Sequence, residues 1–301
     1  MAECFNSWIK ADGSTDFPPE ANRYHLYIGY SCPFAARPFT VWKLKGLETV
    51  ISINFTDPFK LPNETWKFSP EKDSCTADEV NGFSGLKEVY LKADPNFKGK
   101  ISVPLLWDKK TGTAVNNDSV EIMRMLNSEF NAFCPTKEQR SIDLRPSDLQ
   151  DKMEDINAWV GKINFGVYVA GLAPNQQRYD EKVEELFQYL DKAEDILSRQ
   201  RYLLGDKMTE TDIRLFTTLV RFDVVYHGLF KCNKKRIADC PSLQGFLCDI
   251  YQTGGIADTV NMNHIKIGYW GGFVNLNPSG ILPIGPIVDF NAPHDRDTKA
   301  Y

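Results

Sequence analysis

Ser31-Cys32-Pro33-Phe34-Ala35 is the string in this chain whose residue types and order most directly offer chemistry. Pro33 suits the first position of a helix, which makes Cys32 the residue that caps it. The unpaired N–H groups of a first helical turn and the positive end of the helix dipole then face the sulfur. Such a setting favours the nucleophilic thiolate. A small residue packed at a helix start fits the same pattern, so the local string leaves a reactive and a structural thiol equally open. Ala35 stands where a dithiol site would carry its second cysteine. A mixed disulfide at Cys32 therefore needs an external thiol to resolve it, and glutathione is the abundant thiol of the cytosol.

Two further strings fit a tripeptide thiol. Val103-Pro104 falls in a run that reads as strand, Ile101 to Asp108, where a proline spoils a ladder. A cis peptide would turn the Val103 backbone toward an extended peptide; a trans proline on an edge strand is the equal alternative. Asn116-Asn117-Asp118-Ser119 precedes the helical run VEIMRML. Backbone donors at such a start can bind a carboxylate, and Asp118 can pair with an amino group, which together would hold the γ-glutamyl end of glutathione. An ordinary helix cap, with Glu121 three residues after Asp118, accounts for the same residues.

The elements that must position these groups divide the chain in two. Arg23 to Tyr30 alternates as a strand, FAARPFTVWKLKGL has helical spacing closed by Gly46, and Thr49 to Phe55 is a second strand. Pro38 predicts a kink or a re-cap inside the first helix. A polar loop covers about residues 57–98, followed by the third strand, a short fourth at AVNN and the helix VEIMRMLNSEF. After a polar linker from Pro135 to Ser147 strand signals nearly vanish, and apolar residues recur at helical spacing in DLQDKMEDINAWVGKINFGVYVAGL and RYDEKVEELFQYLDKAEDILSRQ. Thr209 and Asp212 form a capping box opening IRLFTTLVRFDVVYH. SLQGFLCDIYQT and IADTVNMNHIKIG predict two shorter helices, and the Gly- and Pro-rich tail from Gly271 an extended wrap. The fold class is α+β: a βαβ-ββα unit over 1–135, then an all-helical unit over 136–301 that ends in the tail.

Composition narrows the function class. With 301 residues, 42% hydrophobic and 25% charged, the chain is neither disordered nor fibrous. A net charge of -5 without a long basic run argues against nucleic acid and anionic membrane as partners. No run approaches the ~20 apolar residues of a membrane span, and the first residues lack the apolar core of a secretion signal. Seven scattered cysteines, with no CxxC and no HExxH, point to reduced thiols in the cytosol and to no metal.

Longer strings resemble one family closely. RYHLYIGYSCPFAARPFTVWKLKGLE, VPLLWDKKTGTAVNNDSVEIMRMLN, INFGVYVAGLA, TETDIRLFTTLVRFDVVYHGLFKCN, NMNHIKIGYW and NPSGILPIGP are similar to the Xi-class glutathione transferases, the glutathionyl-hydroquinone reductases. The resemblance implies a thioredoxin-like domain followed by a helical one, a cytoplasmic homodimer and glutathione as co-substrate. It implies glutathione-dependent reduction of glutathionyl-hydroquinones, with Cys32 as nucleophile. It further implies that Phe34, Trp66, Val103, Pro104, Asp118 and Ser119 bind glutathione. Tyr168 and Tyr269 are implied to meet the quinol ring, with Tyr226 as a further lining residue. A phenol there can donate to a quinol oxygen.

The chain also departs from that pattern. Where the family reads Cys-Pro-Trp-Ala-His-Arg, this chain has Cys32-Pro33-Phe34-Ala35-Ala36-Arg37, and the family's His-Tyr-Tyr is Gly268-Tyr269-Trp270 here. Two imidazoles and an indole donor are gone, which implies a reshaped acceptor pocket. Two other functions remain in view: a non-catalytic ligand carrier or crystallin-like protein on the same scaffold, and an Omega-like dehydroascorbate reductase.

Overall fold

The computed structural model describes residues 4–299, and these fall into two compact units. The first holds the residues up to Ile142 together with Asp258–Phe273; the second holds Asp143–Ala257 and the chain from Val274 on.

The first unit is built on a four-stranded sheet of order β2-β1-β3-β4, formed by β1 (Tyr24–Ile28), β2 (Ser52–Phe55), β3 (Leu105–Asp108) and β4 (Thr113–Asn116). β1 and β2 are parallel, with His25 opposite Ser52, so the chain must cross over between them, and α1 (Pro33–Leu44) makes that crossing. β1 pairs antiparallel with β3 and β3 with β4, and α3 (Ser119–Ser128) follows. This is the expected βαβ-ββα order. All five residues of β1 are buried, as a central strand requires. Even His25 is enclosed, its Nδ1 2.8 Å from Ser52 Oγ, and burial lowers its pKa to about 3, leaving a neutral ring.

Four details differ from the expectations. α1 runs through Pro38 without a break, and the Thr40 hydroxyl donates to the Ala36 carbonyl inside it. β2 starts at Ser52, because Thr49–Ile51 form the turn after the helix. Val103 and Pro104 lie ahead of β3 instead of within it, so the proline costs no ladder bond. The loop over 57–98 contains a helix, α2 (Leu86–Ala93), whose entry is capped by Glu88 accepting from Ser84 and Gly85 N–H.

The second unit packs α5 (Gln150–Gly171), α6 (Gln176–Arg199), α7 (Glu210–Arg221) and α8 (Pro241–Gln252), after the short α4 (Lys137–Ser141) that ends the first unit's opening stretch. The expected capping box is present: the Asp212 carboxylate accepts from Thr209 N–H and Oγ1 and from Leu203 N–H. The chain from 274 on has one short 3-10 turn, Arg296–Thr298, among its described residues. Arg296 is fully buried and donates to the carbonyls of Leu197, Gln200 and Arg201 at the end of α6.

The sequence put every residue after 135 in one helical unit, but the segment 258–273 belongs with the first. That segment carries α9 (Met262–Lys266) and a π-helical turn, Ile267–Gly271. His264 Nε2 lies 2.8 Å from the Asp73 carbonyl and the ring stands edge-on to Tyr30. Helical periodicity reports one element's own faces and cannot say which domain that element returns to.

Candidate active site

Chain geometry after β1 sets the first site group. Cys32 N–H donates to the Gly29 carbonyl at 3.0 Å, which turns the chain out of the strand, and Pro33 opens α1 directly after it. Cys32 has extended backbone angles, φ −80° and ψ 119°, and its carbonyl accepts from Ala36 N–H. Its backbone is therefore that of the N-cap, as the Cys-Pro order predicts, while its side chain makes no cap hydrogen bond to the first turn. Its side chain is half-buried, and Sγ donates to the Val103 carbonyl at 3.7 Å. Cys75, Cys134, Cys232, Cys240 and Cys248 are all buried, and burial pushes each of those thiols up.

The Val103–Pro104 peptide is cis, and both residues are buried. The approach to it is braced by Tyr90 of α2, whose hydroxyl donates to the Ser102 carbonyl at 2.7 Å and accepts from Asn117 Nδ2 at 3.3 Å. One phenol thus ties the segment before Pro104 to the segment before α3.

At the start of α3, Asp118 is the N-cap and its Oδ1 accepts from Val120 and Glu121 N–H at 2.8 and 2.9 Å. The plain helix cap weighed from sequence is therefore present. The same carboxylate is exposed, so capping and ligand pairing are compatible. Ser119 is buried, and its Oγ accepts from Arg37 Nη1 at 3.3 Å. The Arg37 guanidinium also lies 4.7 Å from the centre of the Phe34 ring. Arg37 thus joins the two helix starts, one beginning at Cys32 and the other at Asp118. Sequence reasoning passed over it, although an arginine five residues after the cysteine is a visible signal.

Trp66 sits over Gly29. A Cβ on Gly29 would lie 2.7 Å from Thr56 Oγ1 and 3.2 Å from the Trp66 ring, so a side chain at 29 would displace one or the other. Lys60 Nζ is 5.9 Å from the Trp66 ring centre and donates to the Leu61 and Glu64 carbonyls. Burial, then repulsion from Lys100, lowers its pKa.

Tyr269 also belongs to the first unit. It lies in the π-helical turn, is buried, and stacks on Phe273 with ring centres 5.6 Å apart. The backbone of its neighbour Gly268 lies against Ser31, which precedes Cys32. Tyr168 belongs to the second unit, half-buried on α5, with Tyr226 at 5.9 Å and Phe230 at 5.4 Å between ring centres. Tyr226 is fully buried in the π-helical turn Phe222–Tyr226 that continues α7. The first unit therefore gathers Cys32, Phe34, Trp66, Val103, Pro104, Asp118, Ser119 and Tyr269, while Tyr168 stands in an aromatic group of the second.

Among the described residues no group of His, Cys, Asp or Glu side chains could hold a metal ion, and no helix is long and apolar enough to cross a membrane.

Comparison with known proteins agrees with this layout. A family model of the glutathione S-transferase N-terminal domain matches residues 31–129, and one of the C-terminal domain matches residues 176–247. Glutathionyl-hydroquinone reductase YqjG of Escherichia coli (strain K12) is 45% identical over 305 residues, covering 99% of this chain and 92% of that protein. Glutathione S-transferase omega-like 2 of Schizosaccharomyces pombe is 42% identical over 276 residues, 90% of this chain and 88% of that protein. A Xi-class transferase from Natrialba magadii superposes with a TM-score of 0.94 at 46% identity, covering 99% of this chain and 90% of that one. The glutathione-bound structure of YqjG superposes with a TM-score of 0.93 at 45% identity, covering 98% of this chain and 97% of that one. Matched in both domains and along nearly its whole length, the chain belongs to the glutathione transferase family, in its Xi class.

Proposed function

We propose that the protein is a cysteine-type glutathione transferase that uses glutathione to remove a glutathionyl group from an aromatic thioether, releasing a free hydroquinone. The observation that carries this reading is the placement of Cys32: it caps α1, and its sulfur lies against the backbone of Val103. The helix start favours negative charge on that sulfur.

In the proposed reaction the Cys32 thiolate attacks the glutathione sulfur of the substrate. The S–S bond to glutathione forms as the carbon–sulfur bond breaks. The electron pair leaves with the aromatic carbon, which takes up a proton to give the hydroquinone. A second glutathione, as thiolate, then attacks the mixed disulfide and leaves as oxidised glutathione, restoring the Cys32 thiolate. The thiols are oxidised by two electrons in all and the quinol carbon is reduced by two.

Val103 and Pro104 are assigned to the cysteinyl portion of glutathione, with the Val103 backbone pairing with the extended peptide. In the unliganded chain the Val103 carbonyl accepts from the Cys32 thiol. A peptide N–H that took over that carbonyl would leave the sulfur facing the helix start. Asp118 and Ser119 are assigned to the γ-glutamyl end, Asp118 to its ammonium and the α3 start to its carboxylate. Phe34 and Trp66 supply apolar cover. Tyr269 is assigned to a quinol oxygen, where its hydroxyl steadies developing charge. Tyr168 is proposed for the same duty on the family relationship. A homodimer in the cytoplasm is proposed on the same ground.

The test is direct. Purified protein given a glutathionyl-hydroquinone and glutathione should release hydroquinone and oxidised glutathione, and Cys32→Ala should do neither. Equal turnover by that variant would overturn the reading. Dehydroascorbate as a rival substrate separates an Omega-like activity, and glutathione binding without turnover of either substrate identifies a carrier.

A further inference from the structure

The segment that carries Tyr269 has three glycines, Gly268, Gly271 and Gly272, and for two of them the requirement is space. A Cβ on Gly268 would lie 2.5 Å from Ser31 Cβ, 2.9 Å from Ser31 Oγ and 3.0 Å from the Pro58 carbonyl. A Cβ on Gly272 would lie 2.4 Å from the Gly268 carbonyl and 2.9 Å from that of Lys60. Gly271 is less confined, its Cβ meeting only the Phe59 ring, at 3.1 Å. The turn Ile267–Gly271 therefore lies with its bare backbone on Ser31 and on the 58–60 strip.

Both supports are firmly held. Asp57 accepts from Phe59 N–H at 2.9 Å through Oδ1, and from Ser69 Oγ at 2.9 Å and Lys72 Nζ at 2.6 Å through Oδ2. Ser31 is buried between β1 and α1. The bond from His264 to the Asp73 carbonyl holds α9, which runs straight into the turn. The turn thus rests on fixed elements and follows a fixed helix, and a side chain at 268 could be accommodated only by lifting it.

Ser31 and Cys32 are consecutive, as are Gly268 and Tyr269. The contact between Ser31 and Gly268 thus places the nucleophilic sulfur and the phenol on adjoining residues of the two touching segments. We propose that Gly268 is a positioning residue: its missing side chain lets the turn rest on Ser31, sets the reach of Tyr269 to an aromatic acceptor at Cys32, and so makes the site selective for aromatic over small acceptors. The inference rests on the proposed role of Cys32, and deepens it by naming what fixes the acceptor side.

Gly268→Ala needs the turn to rise by about 1 Å for its Cβ to reach ordinary contact with Ser31, a misplacement that costs up to about 100-fold at a reacting centre. The experiment has two arms, run on wild type, Gly268→Ala, Ser31→Gly and the double variant. In the first, turnover of a glutathionyl-hydroquinone is divided by turnover of a small alkyl–glutathione disulfide, whose leaving thiolate needs no phenol. That ratio should fall about 10- to 100-fold in Gly268→Ala, chiefly through kcat, and recover in the double variant, where the clashing Ser31 Cβ is gone.

The second arm needs no turnover: labelling of Cys32 by N-benzyl iodoacetamide is compared with labelling by iodoacetamide. The aryl-to-alkyl ratio should fall in Gly268→Ala and recover in the double variant. A variant that merely loosens the fold would change the labelling by both reagents together, or lower both turnovers together, leaving the ratios unchanged, and would overturn the proposal. So would a fall in the ratios that Ser31→Gly fails to reverse. A wild-type protein that turns over no hydroquinone refutes the function proposed above, while the labelling ratios still decide the role of Gly268.

Discussion

Alkylating the native protein with iodoacetamide and mapping the adducts by mass spectrometry ranks its seven thiols, and the structure sets the order. Burial pushes Cys75 and Cys240 to about 11 and Cys232 to about 12, and pushes Cys134 and Cys248 up as well. At pH 7 a thiol at about 11 is ionised to about one part in ten thousand, against about 3% for an unperturbed thiol near 8.5. Ionisation alone therefore slows Cys75 and Cys240 about 300-fold and Cys232 about 3,000-fold, before their enclosure is counted. Cys4 is exposed and Cys32 half-buried, so these two remain within reach of the reagent.

Two influences then meet at Cys32. The start of α1 stabilises negative charge by about 1–2 kcal/mol, or roughly five- to thirty-fold more thiolate. The Val103 carbonyl, accepting from Sγ at 3.7 Å, favours the thiol, but a thiol is a weak donor. The helix start should win. Cys32 is expected to label at least about fivefold faster than Cys4 and to keep labelling at pH 6. Glutathione should protect it, and the five buried thiols should react only after denaturation. Labelling of Cys32 no faster than Cys4 would refute the activation by the helix start, and labelling of Cys232 in the native protein would refute the burial argument.

Two further predictions concern stability. Asp212 is fully enclosed at the start of α7, and burial lifts its carboxyl to about 6 against the hydrogen bonds from Leu203 and Thr209 that lower it. A folded pKa above the unfolded 3.8 means that the folded state binds the proton more tightly, so this group's contribution falls as pH rises from about 4 to about 6 and is level above that. The decline amounts to at most about 3 kcal/mol, and the difference between urea melts of wild type and Asp212→Asn across that range should show it; a difference that grows in the opposite direction refutes the sign. Arg296→Ala strips the donors from three carbonyls at the end of α6, at a cost of about 3 kcal/mol, and should lower Tm by roughly 6–12 °C in calorimetry. An unchanged Tm would mean that the tail is not fastened there.

Much of the first unit was legible because its signals are local. The Cys32-Pro33 order names an N-cap without any knowledge of the rest of the chain, and the structure has it there. Thr209 and Asp212 announced a capping box for the same reason. At Val103-Pro104 the residues could not choose between cis and trans, since that choice depends on what packs around the bond; the structure has cis. α2 was missed because its eight residues sit among polar loop, and it is held by Glu88 folding back on Ser84 and Gly85 and by the burial of Leu86, Val89 and Tyr90 against distant residues. Arg37 was legible only as a letter. Its bond to Ser119 spans 82 residues, beyond any local pattern.

From the sequence alone came the helix-capping cysteine and the order of elements that presents it, because capping and periodicity are written in neighbouring residues, and, from its longer strings, the likeness to the Xi class. What the tertiary structure decided is which distant pieces meet: Arg37 with Ser119, Trp66 over Gly29, and Gly268 against Ser31. Those meetings depend on the shape left where a side chain is missing, and a glycine's letter carries no record of which neighbour will fill that space.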